Sequence, residues 1–143
     1  MARKLTDLER QIEELTERWK RVLADYQNLE KRTKTEKEEF AQFANRELIL
    51  KLLPALDSFE NLEEHLGDEG LTLSLRQLRD VLGEEGLEKL ETKGKGFNPE
   101  EMECVGIEAG EDNKVLKATR AGYRFKGKLL RPAAVIVGKK KID

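Results

Sequence analysis

The sequence has one cysteine, one histidine and three prolines among its 143 residues. The single thiol, Cys104, excludes an intrachain disulfide and any cysteine-built metal site within one chain. Its strand neighbours alternate with apolar residues, so it is expected to be a small buried side chain. The single histidine, His65, follows Glu63 and Glu64 and is expected on a helix surface. No serine–histidine–acid arrangement can be assembled around it. No window is long and apolar enough to span a membrane. The opening MARKLTDLER has no apolar core of a signal peptide, so the cytoplasm is the expected compartment. An excess of one charge sign is also missing: 27 Lys and Arg oppose 29 Asp and Glu, for a net charge of -2. That balance argues against a protein that binds nucleic acid by neutralising phosphates, and the Lys139-Lys140-Lys141 tail reads as a solvated end. Gly94-Lys95-Gly96 lacks the spacing and following helix of a phosphate-binding loop. With no catalytic constellation, no metal and no cofactor site to be found, the chain does not read as an enzyme.

What the sequence does have is a narrow apolar stripe. Leu5, Leu8, Ile12, Leu15, Trp19, Val22, Tyr26 and Leu29 recur in alternating steps of three and four. Phe40 and Phe43 resume the register after a polar gap at Thr33 and Glu36. No Pro or Gly interrupts. One straight helix has nothing to bury such a stripe against, so it demands a partner helix. Fully helical, the stretch from Leu5 to Leu50 would be roughly 70 Å long. Trp19 and Tyr26 are wide for a tight two-stranded seam, so a loose pairing is expected. The flanking charges do not choose an orientation. In a parallel pair Lys4 would face Glu9 favourably, but Asp25 would face Glu30 and Arg32 would face Lys37. Pairs such as Glu14–Arg18, Glu17–Arg21, Glu30–Lys34 and Glu47–Lys51 suit a solvated helical surface.

From residue 47 the apolar face widens through Leu48, Ile49, Leu52, Leu53, Leu56, Phe59, Leu62 and Leu66, as a bundle helix requires. Pro54 lies inside this run, where a kink or local break is expected. Gly67 is a natural stop. A second helix carries Leu71, Leu75, Leu78 and Leu82 on one face and ends at Gly83 or Gly86. Two such helices make half a core, and two copies would make a four-helix bundle. Rod and hairpin both point to a homodimer, with Leu8, Ile12, Leu15, Trp19, Val22, Tyr26, Leu29, Phe40, Phe43, Leu52, Leu56, Phe59, Leu75, Leu78 and Leu82 as its expected interface. After Gly86 the helical period disappears. Leu87–Leu90, Met102–Ala109, Lys114–Ala121, Tyr123–Phe125 and Leu129–Val137 read as strands. The expected fold is therefore α+β. A coiled-coil-like helix occupies 1–46, a helical hairpin of a dimeric four-helix bundle 47–86, and a small all-β domain 87–143.

Two stretches carry a resemblance to a known family. Phe97-Asn98-Pro99-Glu100-Glu101-Met102-Glu103-Cys104-Val105 is followed, sixteen residues on, by Gly122-Tyr123-Arg124-Phe125-Lys126-Gly127-Lys128-Leu129-Leu130-Arg131-Pro132-Ala133-Ala134-Val135-Ile136-Val137. Together they resemble the signature of GrpE, the nucleotide exchange factor of the DnaK-type chaperone. Segments 24–29, 52–59 and 69–73 are similar to the family's rod and bundle. Cys104 departs from the family's usual Ala, a small-for-small change. The resemblance implies a parallel dimer with a β-domain on each side. One β-domain wedges against the chaperone's nucleotide-binding domain and opens its cleft to release ADP. It further implies chaperone contacts at Phe97, Asn98, Pro99, Thr119, Lys128, Arg131 and Val137. Phe97 reads equally as core, and Arg131 also as a brace of its hairpin. Lys128 stands where the family commonly has Arg, and Thr119 where it has a more apolar residue. The polar layer at Thr33 and Glu36 raises the further expectation that the rod unzips on heating and acts as a thermosensor. The competing reading is a structural coiled-coil adaptor without exchange activity.

Overall fold

The computed structural model describes residues 1–141. The last two residues of the β-domain expected at 87–143, Ile142 and Asp143, lie outside the described residues. The chain has an α+β fold and divides into two compact units, Met1–Phe43 and Ala44–Asp143.

The first unit is one helix, α1 (Ala2–Phe43). An uninterrupted supply of Leu, Glu, Lys, Arg and Gln explains its length. Thr6, Thr16 and Thr35, weaker helix formers, each donate a hydroxyl hydrogen bond to the carbonyl four residues back. Arg10 pairs with Glu14 and Arg32 with Glu36 along its surface. None of its residues is buried in the single chain.

The second unit begins with a helical hairpin, α2 (Arg46–Leu66) and α3 (Glu69–Glu84). The helical run breaks at Ala44–Asn45 and not at Pro54, which α2 passes without interruption. Pro54 removes one backbone donor, but its neighbours Leu53 and Leu56 are 1% and 3% exposed, and their burial holds the helix across it. Gly67 ends α2 in the left-handed region (φ 59°) and donates its N–H to Glu63 O. Asp68 then caps α3, its Oδ1 accepting from Leu71 N at 2.8 Å. Gly83 lies inside α3, and the chain leaves the helix through Gly86 (φ 106°). Asn45 Nδ2 donates to Glu85 Oε2 at 3.2 Å, tying the open end of the hairpin together.

Among the described residues, six strands follow in two three-stranded sheets. β1 (Leu87–Lys89), β4 (Tyr123–Phe125) and β5 (Lys128–Arg131) form an antiparallel sheet in the order β1-β4-β5. β2 (Met102–Ala109), β3 (Val115–Arg120) and β6 (Ala133–Lys139) form the other, with β6 central, parallel to β2 and antiparallel to β3. Lys126 (φ 48°) and Gly127 (φ 81°) both take positive φ, as a tight two-residue turn between β4 and β5 demands. The expected single strand Leu129–Val137 is in fact two. Pro132 has no N–H to donate, and there the chain crosses from one sheet to the other. The second sheet packs Met102, Val115, Ala133, Val135 and Val137 into its own core. The first sheet rests on the hairpin, α2 meeting β5 and α3 meeting β1. Among the described residues, no helix is long and apolar enough to cross a membrane.

Candidate functional site

Two kinds of surface stand out, an unpaired helical seam and the face of the second sheet. On α1, Leu8, Ile12, Leu15, Trp19, Val22, Tyr26 and Leu29 are 51–64% exposed, and Phe40 is 77% exposed. Phe43, at the helix end, is half-buried. On the hairpin the expected interface residues divide. Leu52, Phe59 and Leu78 are exposed, whereas Leu56, Leu75 and Leu82 are buried within the chain itself. The 3.6-residue period put all six on apolar faces, but it could not tell the side buried within the chain from the side left open. Leu48, Leu62, Leu66 and Val81 are also exposed and add to the open apolar surface.

On the second sheet, the 97–102 segment forms a rigid turn. Asn98 Oδ1 accepts from Glu100 N at 3.1 Å, and its carbonyl accepts from Met102 N at 2.9 Å. Phe97 N donates to Asn113 O at 3.0 Å, and its half-buried ring packs against the sheet's core cluster. Pro99 is exposed at the tip. Val137 is buried in the same cluster. The structure thus brings Phe97 and Val137 together, on one shallow groove of about 400 Å3 that Cys104, Ile107, Asp112 and Asn113 also line. Thr119 donates its hydroxyl to Ala134 O at 3.2 Å on β6. Lys128 lies on the other sheet, exposed at the start of β5 opposite Phe125.

Cys104 is exposed, not buried as expected. β2 is an edge strand paired only with β6, so the groove face of Cys104 stays open to solvent. Ile107, 65% exposed, is a groove residue that alternation along the sequence misses. The register slips between Cys104 and Gly106, leaving Val105 as the extra residue. Cys104 aligns with Val135 and Ile107 with Val137, so both share one face. The signal in the sequence is Gly106 in the middle of the strand.

Arg131 is only 9% exposed. Its Nη1 and Nη2 reach Asp57 Oδ2 and Oδ1 at 2.6 and 2.8 Å, and its Nε and Nη2 donate to Ala121 O at 3.0 and 2.7 Å. Its guanidinium stands 5.4 Å from the centre of the Tyr123 ring. Burial, reinforced by the Glu60 and Asp57 carboxylates, pushes the Tyr123 phenol up to about 12 against the opposing pull of Arg131 and Arg79. Burial alone would lower Arg79, but hydrogen bonds to Glu60 and Glu63 outweigh it and raise its pKa. Among the described residues, no group of His, Cys, Asp and Glu side chains is placed to hold a metal ion.

A family model described as GrpE matches residues 1–139. The chain belongs to the GrpE family. It is 38% identical over 144 residues to protein GrpE of Fusobacterium nucleatum subsp. nucleatum, covering 93% of this chain and 72% of that one. To protein GrpE of Carboxydothermus hydrogenoformans it is 42% identical over 129 residues, covering 84% and 66%. To that of Methanosphaera stadtmanae it is 35% identical over 137 residues, covering 91% and 79%. It therefore spans between 66% and 79% of the lengths of these curated relatives. GrpE family membership supports a co-chaperone role in the DnaK system.

Proposed function

We propose that this chain is an adenyl-nucleotide exchange factor that works as a homodimer on a DnaK-type chaperone. Two copies pair along the α1 seam and through the exposed hairpin residues Leu52, Phe59 and Leu78. The β-unit meets the chaperone's nucleotide-binding domain through the Phe97-Asn98-Pro99 turn and its groove, with Thr119, Lys128 and Val137 at the edges of the contact. Its wedge holds the nucleotide cleft open, ADP loses contacts and leaves, and ATP enters. No bond is made or broken by this chain. The observation that carries the reading is the pre-shaped turn at Asn98 beside a partly open apolar groove; the turn, and Phe97, Cys104 and Val137 of the groove, lie in the segments that resemble the family signature.

The physical requirement is differential binding. A factor that binds open and closed chaperone equally shifts nothing. Each tenfold acceleration of ADP release requires about 1.4 kcal/mol of preference for the opened form. By linkage, ADP weakens binding of the factor as much as the factor weakens binding of ADP. The test is stopped-flow release of fluorescently labelled ADP from a DnaK-type chaperone. Acceleration that saturates at one dimer per chaperone is expected. A folded dimer that leaves release unchanged with a matched chaperone would sink the proposal and promote the structural adaptor.

Thermosensing follows as a second reading from the exposure of the α1 seam in one chain. A helix without its own core holds together only through its partner, so melting and dissociation are coupled. Far-ultraviolet circular dichroism on heating should show α1 lost before the β-unit. A single coincident transition would count against an independent sensor.

A further inference from the structure

The joint between the helical hairpin and the β-unit is small and mixed, with buried leucines beside paired charges. Among the described residues, contact between elements across it is concentrated where α2 meets β5 and α3 meets β1. It holds a partly open pocket of about 140 Å3, lined by apolar Leu56, Leu82 and Leu87 and by polar Glu60, Arg79, Lys89 and Tyr123. Close packing therefore does not by itself set the angle between the two parts. The ion pairs differ in what they can hold. Lys89 reaches Glu60 at 3.7 Å with a flexible, half-exposed ammonium. Arg79 braces Glu60 and Glu63 at 3.0 and 3.1 Å, but this tie runs between the two helices of the hairpin. Among the described residues, the Asp57–Arg131 pair is the two-pronged contact that joins hairpin and β-unit, at 2.6 and 2.8 Å, with Arg131 buried and Asp57 half-buried. The same planar guanidinium also donates twice to Ala121 O and faces the Tyr123 ring. A planar group held from three sides defines direction as well as distance, which a point charge cannot do.

We propose that Asp57 and Arg131 are positioning residues that hold the β-unit at one angle to the α2–α3 hairpin, making it a stiff arm that can keep the chaperone's cleft open. This rests on the exchange reading above. A loosely hinged β-unit still presents the same face and still binds. It swings with the closing lobe, however, and so loses its preference for the open form. The loss then falls on the release rate at saturation and leaves the half-saturating concentration unchanged.

The variants are Asp57→Asn and Arg131→Lys, each checked for folding by circular dichroism. Arg131→Lys keeps a positive charge beside Asp57 and removes only the forked geometry, so it decides the matter if Asp57→Asn does not fold. Two readouts are taken on each. The first is labelled ADP release against concentration, where the saturating rate should fall about tenfold with half-saturation unchanged. The second is the distance distribution between spin labels at positions 76 on α3 and 93 in the β-unit, in a Cys104→Ser background, which should broaden in either variant. A folded variant with the wild-type distance distribution overturns the proposal. So does one whose loss appears wholly in half-saturation. If wild type itself fails to accelerate release, the exchange reading falls, and the distance distributions still decide whether the pair sets the joint.

Discussion

Replacing Leu15 by Ala tests whether the α1 seam is a dimer interface. Leu15 is 62% exposed in the single chain, so that fraction of its surface remains to be covered by a second helix. Fully burying a leucine is worth about 1.5–3 kcal/mol, so covering this fraction contributes about 1–2 kcal/mol per chain. A symmetric dimer loses the side chain twice. Because Ala retains one carbon, the expected cost is about 2–3 kcal/mol, a rise in dimer Kd of about 30- to 150-fold. Trp19, the sole tryptophan, lies one turn further along the same stripe, and its emission should shift to the red as the pair separates on dilution. Sedimentation equilibrium supplies the Kd independently. Glu17→Ala, off the stripe on the same helix, is the control and should leave Kd within about twofold. Equal effects of the two substitutions, or a Leu15→Ala chain that dimerises like wild type, would refute the assignment of the seam.

Three further outcomes follow from the β-unit. In a Tyr26→Phe background the remaining phenol, Tyr123, should titrate near pH 12, read by absorbance at 295 nm. Its folded pKa lies above the ordinary value of 10 for a tyrosine, so the stability it contributes is complete below pH 10 and is lost as pH rises through 12. Gly122→Ala should destabilise the chain toward the upper end of about 1–3 kcal/mol in urea melts, because the added carbon would stand 2.5 Å from Ala133 N and 2.9 Å from its Cα, backbone that cannot give way. An unchanged midpoint would contradict that close approach. Cys104 should react with a thiol reagent in the native protein as fast as in urea, and strong protection would place it back in the core.

Much of the helical half was legible because its signals are local. The three-and-four stripe, the absence of Pro and Gly through residue 43, and Gly67 with Asp68 between two apolar faces each act within a turn or two of helix. Pro54 shows where local reasoning fails. Its intrinsic cost in a helix is about 3 kcal/mol. Leu53 and Leu56 on either side recover a cost of that size by burial, and the sequence alone does not show that they are buried. The same blindness put Leu56, Leu75 and Leu82 together with Leu52, Phe59 and Leu78, because a period reports a face and not what covers it.

Local patterns suffice to divide the chain into rod, hairpin and β segments, to leave α1 with nothing of its own to cover its stripe, and to mark the 97–105 and 122–137 segments as resembling one family. The folded chain adds that Pro132 divides two sheets, that a bulge at Val105 turns Ile107 onto the face of Cys104 and Val137, and that Arg131 reaches Asp57. The reason is range. Helical periodicity is set by neighbours three and four residues away, whereas Asp57 and Arg131 are 74 residues apart and meet only when α2 and β5 are brought together.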